Sequence, residues 1–277
     1  MVSKINRDQV VNIVVQLLKQ AETTLPEDVL SALKSARKRE SNPLARIQLD
    51  MIHKNADFAR EKGIPMCQDT GVPIFFIEIG RDAKIDFDLE GAIRDGVVRA
   101  TDEVPLRPSA VHPITRQNSG NIGPGFPDVN YDFVDGKDIR ITVAVKGAGS
   151  ENMSALKMFS PSEADDVKRF IVETVKNAGG KPCPPIIVGV GIGGTFDKAA
   201  RLAKKAALRG LDTVPDKLEQ ELVDAINSLG IGPMGLGGDT TALKVNIEYA
   251  HCHVASLPVA VNIQCWADRR ASAVLEG

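Results

Sequence analysis

Ile186-Ile187-Val188-Gly189-Val190-Gly191-Ile192-Gly193-Gly194 decides between two folds. Gly189, Gly191 and Gly194 have GxGxxG spacing, after a β-branched run and before a helical pattern, as in a dinucleotide-binding turn. That reading needs an acid about 20 residues further on, at the end of a second parallel strand. Asp212 lies near that distance, but it follows a helix and the turn Arg209-Gly210-Leu211. The run also sits late in the chain, without a second βαβ half. The glycines therefore read as a tight strand-to-helix turn, with a nucleotide-binding module as the rival interpretation.

Working outward from this run, the pattern is α+β. Val10, Val11, Ile13, Val14, Leu17 and Leu18 recur at helical spacing. Pro26-Glu27-Asp28 and Asn42-Pro43 open two further helices, with proline in the first turn where its missing N–H costs nothing. The β-branched and aromatic run 72–79 predicts a strand, followed by a helix over 88–104. Residues 107–135, rich in Pro, Gly and Asn, read as a long irregular loop of the kind that is functional or disordered. A strand at 140–146 leads into the turn Lys146-Gly147-Ala148-Gly149-Ser150-Glu151-Asn152. Ser160 and Glu163 form a capping box for a helix to Ala178, which Gly179 ends. Helices at 197–208 and 215–229 and strands at 244–249 and 257–264 follow. The expectation is one α+β domain over residues 1–277, with an N-terminal helical region and mixed β-sheets flanked by helices.

Composition narrows the function. The chain has 277 residues, a formal charge of −2 and a sequence pI near 6.1. A nucleic-acid binder would carry a basic excess, so no nucleic-acid partner is expected. No apolar run reaches the ~20 residues needed to span a bilayer. The start, Met1 to Val11, lacks the apolar core of a signal peptide, so no membrane is expected and a cytoplasmic location is the default. Four cysteines are too few for a disulfide scaffold.

Three of those cysteines stand in unusual surroundings: Pro65-Met66-Cys67-Gln68-Asp69-Thr70-Gly71, Lys181-Pro182-Cys183-Pro184-Pro185, and Gln264-Cys265-Trp266-Ala267-Asp268-Arg269-Arg270. A lone cysteine is usually a small buried hydrophobe. These contexts are poor core material, and their wide spacing does not match the close pairs of a structural zinc site. Three thiols in turn-prone stretches are what an iron–sulfur cluster with one open iron would need. Cys252, inside His251-Cys252-His253, would point away from both histidines on a strand, and it takes the core reading. Arg107 is either a solvated charge or a carboxylate clamp. His253 is either a satisfied core histidine or a group that binds an anion or moves a proton. Arg269 and Arg270 either end a helical turn or keep the local potential positive.

With these motifs the chain resembles the α subunit, or N-terminal domain, of class I fumarate hydratases and the related L(+)-tartrate dehydratases, over nearly its whole length. The carrying stretches are 67–71, Leu106-Arg107-Pro108-Ser109, 146–152, Ala178 to Pro185, Val188 to Thr195, and His253 through Arg269. The resemblance implies a [4Fe-4S] cluster held by Cys67, Cys183 and Cys265, with one open iron. It implies a pocket lined by Gln68, Asp69, Arg107, Gly147, Gly149 and His253, with Asp69 and His253 in catalytic roles. It also implies a small dicarboxylate substrate and a separate β subunit supplying the rest of the active site in a hetero-oligomer, such as α2β2.

The expected activity is a hydro-lyase of the fumarate hydratase type. Fumarate and malate are the first choice of substrate, because the stretches from Gly149 and from Gly237 look more like the fumarase group. Dehydration of tartrate to oxaloacetate is the alternative. A NAD-binding module and a non-catalytic interaction protein are the rivals from other classes.

Overall fold

The computed structural model describes residues 5–277, so the first four residues of the amphipathic start lie outside it. Its helices are α1 (Arg7–Thr23), α2 (Glu27–Arg39), α3 (Pro43–Lys62), α4 (Leu89–Glu103), the single turn α5 (Ala148–Glu151), α6 (Val167–Ala178), α7 (Phe196–Ala207) and α8 (Lys217–Asn227). Its strands are β1 (Val72–Gly80), β2 (Ala110–Val111), β3 (Asn118–Gly120), β4 (Asp128–Val134), β5 (Ile139–Lys146), β6 (Ala155–Phe159), β7 (Ile186–Ile192), β8 (Ala242–Tyr249), β9 (Leu257–Gln264) and β10 (Arg269–Leu275). The α+β class, the helical N-terminal region and the mixed sheets flanked by helices are all as the sequence predicts.

Residue contacts gather into two compact units. The first holds the chain up to Pro26, then Asn55–Gly147 and Arg269–Gly277; the second holds Glu27–Lys54 and Ala148–Asp268.

The first unit is built on a sheet of order β10-β5-β1-β4. β1 runs parallel to β4 and antiparallel to β5, and β10 is antiparallel to β5. α1 and α4 bury their apolar faces against it through Val10, Val14, Leu18, Ile93 and Val97, which meet Phe75, Ile77, Ile141 and Val143. Asn6 caps α1 by accepting the Gln9 N–H at 3.0 Å, while Gln9 Oε1 accepts the Asn6 N–H at 2.9 Å. The two helices approach closely because Gly96 has no side chain; a Cβ there would lie 2.6 Å from Val14.

The second unit is a sheet of order β6-β9-β7-β8, with β7 parallel to β8 and antiparallel to β9. Strand alternation splits β7 between two layers. Ile186, Val188 and Val190 pack with Ile171, Val175, Leu222 and Ile226 of α6 and α8. Gly189 and Gly191 point the other way, under α7. A Cβ at Gly189 would sit 2.1 Å from the Ala203 carbonyl oxygen, and one at Gly191 2.1 Å from that of Ala199. Gly193 then turns at φ +92°, where a Cβ would strike the Ala250 carbonyl at 1.9 Å. The first two glycines thus let a helix lie flush on a strand, and the third makes the turn between them.

Several expectations are corrected. The loop 107–135 contains the β2–β3 hairpin and β4, which pairs with β1. The helix from Ser160 begins as a 3-10 turn, Pro161–Asp166, before α6; Glu163 does accept the Ser160 N–H at 2.8 Å. Arg269 and Arg270 open β10 instead of ending a helical turn. Residues 250–256 form a loop between β8 and β9, so Cys252 is exposed and its core reading fails.

Candidate active site

In the first unit, the Cys67 loop leaves α3 through Gly63, whose φ of +64° stops the helix. Two hydrogen bonds hold Met66, the residue before the cysteine. Its N–H donates to the Glu22 carbonyl at 2.9 Å and its carbonyl accepts from Asn55 Nδ2 at 2.8 Å. After the cysteine, Asp69 Oδ1 accepts the Gly71 N–H at 3.0 Å. The Asp69 carbonyl accepts Arg269 Nη1 at 2.8 Å. Gly71 turns at φ +67°, and a Cβ there would lie 2.6 Å from the Lys146 carbonyl. Only glycine permits that approach.

Four sequence-predicted site residues meet around this loop. Gln68 is exposed, with its Oε1 3.5 Å from the Cys67 sulfur. Arg107 is drawn in by its backbone, its N–H donating to Thr70 Oγ1 at 2.9 Å, while its side chain stays exposed. Gly147 faces Asp69: a Cβ would stand 3.3 Å from Asp69 Oδ2 and 3.5 Å from Arg269 Nη2. Asp69 is half-buried, Arg107 exposed and Gly147 buried. The exposed Arg107 guanidinium offers a cation to a carboxylate ligand.

Beneath that loop lies a buried ion pair. Arg269 is 1% exposed and Glu22 0%. Arg269 Nη1 donates to Glu22 Oε2 at 2.9 Å, while Glu22 Oε1 has no hydrogen-bond partner among the described residues. Burial pushes the Glu22 carboxyl from 4.5 up to about 7; Arg269 opposes the shift and Asp69 adds to it. The desolvation of a carboxylate in this interior outweighs its one cation.

In the second unit, Cys183 sits at φ +56°, a conformation that non-glycine residues seldom adopt. Its N–H donates to the Gly180 carbonyl at 3.1 Å, and its carbonyl accepts the Trp266 N–H at 3.2 Å. That bond ties the Cys183 loop to the loop of Cys265. Gln264, at the end of β9, donates through Nε2 to Asp268 Oδ1 at 3.4 Å across the base of the Cys265 turn. Gly149 borders the same region, since a Cβ there would be 3.2 Å from the Lys181 carbonyl. His253 lies exposed in the 250–256 loop, where its Nδ1 accepts the Ala255 N–H at 3.1 Å.

The three cysteines are present as thiols, Cys67 and Cys265 half-buried and Cys183 exposed. Cys67 belongs to the first unit, Cys183 and Cys265 to the second. Among the described residues no group of three or more His, Cys, Asp or Glu side chains is arranged to hold a single metal ion. Each thiol stands on a loop, Cys183 on a strained backbone whose carbonyl is tied to the residue after Cys265, and sulfur is the soft donor that an iron–sulfur group takes.

Sequence reasoning missed Glu22 and the burial of Arg269. The signal for Glu22 was present, because it follows Val14 and Leu18 at successive steps of four along the apolar face of α1. An acid in that register must find a partner inside the fold.

Comparison with known proteins matches this chain to one family. A family model described as Fumarate hydratase (Fumerase) matches residues 11–274. A Methanocaldococcus jannaschii protein provisionally named L(+)-tartrate dehydratase subunit alpha is 53% identical over 271 residues, covering 94% of this chain and 95% of its own. The L(+)-tartrate dehydratase subunit alpha of Escherichia coli strain UTI89 is 35% identical over 284 residues, covering 98% of this chain and 94% of its own. The corresponding subunit of strain K12 is 34% identical over 284 residues, with the same coverage. This chain belongs to the class I fumarate hydratase and tartrate dehydratase α-subunit family, as a hydro-lyase α subunit.

Proposed function

We propose that the chain is the α subunit of an L(+)-tartrate dehydratase, converting tartrate to oxaloacetate together with a β subunit. The observation that carries this reading is the 53% identity, over 94% of the chain, to a relative named for that reaction and as a subunit alpha. This ranking reverses the expectation of fumarate and malate as first choice. The residues behind that expectation have work inside the fold. In the Gly237 stretch, the Asp239 N–H donates to the Glu40 carboxylate at 2.9 Å, and Thr241 Oγ1 accepts the Gly232 N–H at 3.1 Å. In the Gly149 stretch, Glu151 pairs with Lys204 and accepts from Asn262 Nδ2 at 3.0 Å.

Cys67, Cys183 and Cys265 would hold the [4Fe-4S] cluster, which when bound supplies Lewis acidity toward the departing hydroxyl group. The remaining tasks fall to side chains. Arg107 clamps one substrate carboxylate, where a planar guanidinium offers two parallel donors and balances charge as the adjacent C–H proton leaves. Gln68 and the Asp69 carboxylate orient the polar groups of the substrate. Gly147 and Gly149 keep the backbone close by presenting no side chain. His253, with Nδ1 occupied by the Ala255 N–H, has Nε2 available to hydrogen-bond a carboxylate or pass a proton. Loss of the proton from one carbon and hydroxide from the next leaves an enol, which rearranges to the 2-oxo acid.

The test is to co-express the chain with its β subunit, reconstitute anaerobically, and measure turnover of L(+)-tartrate, fumarate and malate. Oxaloacetate formed from tartrate with the highest kcat/KM supports the reading. Faster interconversion of fumarate and malate would replace it with a fumarate hydratase, the second reading, which the description of the matching family favours.

A further inference from the structure

We propose that Glu22 is a positioning residue of the active site: its buried carboxylate orients the Arg269 guanidinium, which fixes the backbone of the Cys67–Gln68–Asp69 loop. The inference deepens the dehydratase reading and rests on it for the role of that loop. Three segments far apart in sequence converge here, all within the first unit: the last turn of α1, the loop after α3 and the first residue of β10.

The loop is gripped on both sides of Cys67. On the leading side, the Glu22 main chain accepts the Met66 N–H at 2.9 Å. On the trailing side, Arg269 Nη1 bonds the Asp69 carbonyl at 2.8 Å and the Glu22 side chain at 2.9 Å through the same nitrogen. One residue of α1 therefore governs both grips, the first through its backbone and the second through its carboxylate. Neither Glu22 nor Arg269 is exposed enough to touch a substrate. Their effect passes through Asp69, whose carboxylate faces Gly147. Removing the Glu22 carboxyl takes away the acceptor of Nη1, the same nitrogen that holds the Asp69 carbonyl, so the orientation of that donor is lost.

The experiment is cysteine alkylation of the full apo chain, resolved by mass spectrometry, in the parent protein and in Glu22→Ala and Glu22→Gln. Cys67 reports on the loop. Cys265, also half-buried but in the second unit, reports on general loosening. In Glu22→Ala, Cys67 should react roughly tenfold faster, as local opening of a segment that has lost a charge-assisted hydrogen bond requires. Cys265 should keep its rate. Glu22→Gln, which retains an acceptor for the guanidinium but not the charge, should fall between, and it carries the test alone if the alanine variant does not fold. Cys67 reacting at the parental rate, or accelerating in step with Cys265, overturns the proposal. Reconstituted parent chain that, with its β subunit, turns over neither tartrate, malate nor fumarate would remove the dehydratase reading and leave the footprint result standing.

Discussion

The residue that departs furthest from ordinary behaviour is Glu22. Its carboxyl, raised from 4.5 to about 7 by burial, gives the fold a pH dependence of predictable sign. Between those values the unfolded chain has lost this proton and the folded chain keeps it. The group therefore stabilises fully at pH below 4.5, and its contribution is lost as pH rises through about 7. The change is about 3 kcal/mol across the window. Glu22→Gln should flatten it: urea midpoints measured at about pH 5 and about pH 8 should draw together, and an unaltered spacing would count against the shift. The thiols allow a second prediction. Serine at 67, 183 or 265 should abolish the 400 nm absorbance and tartrate turnover after anaerobic reconstitution, whereas Cys252→Ser should change neither. Survival of both signals in any of the first three variants would refute the ligand assignment. A third concerns Gly147. Alanine there would bring a methyl group to 3.3 Å from Asp69 Oδ2, so KM for the dicarboxylate should rise while the melting temperature holds. At this scale the sequence showed the thiols and their polar neighbours, since Pro and Gly around a cysteine are visible in one dimension. It hid the Glu22–Arg269 pair, because a contact between residues 22 and 269 leaves no local trace.

Among the elements, legibility followed position within a sheet. β1, β5, β7 and β9 are interior strands; β1, β7 and β9 were announced by their largely apolar runs and β5 by its alternation. The three longer strands that escaped notice, β4, β6 and β10, are all at sheet edges. β4 is at most half-buried along its length, so Asp128-Val129-Asn130-Tyr131-Asp132 shows no clean alternation. β10 opens on two arginines, a charge pattern that resembles a loop. The glycines of β7 illustrate the opposite case, where a strong motif had a packing cause. Gly189→Ala or Gly191→Ala should push α7 off the strand and cost about 1–3 kcal/mol, the range for overpacking a dense interior. Thermal unfolding should register either change. A midpoint equal to the parent's would mean that the helix can shift without penalty.

At the scale of the whole molecule, the two units have separate cores and separate sheets, and the cysteines are divided between them. Membership of an α-subunit family leads to the prediction that the purified chain alone is catalytically weak or silent and gains activity when its β subunit is added. Full turnover by the lone chain would overturn it. No described helix is long and apolar enough to cross a membrane. The order of segments has a consequence for synthesis on the ribosome. The sheet that starts at residue 72 takes its outermost strand from residues 269–275, after the whole of 148–268 has been made. A nascent polypeptide can complete the second unit first, while the loop bearing Cys67 waits for Arg269. Removing residues 269–277 would take the Arg269 hydrogen bond from the trailing side of that thiol loop.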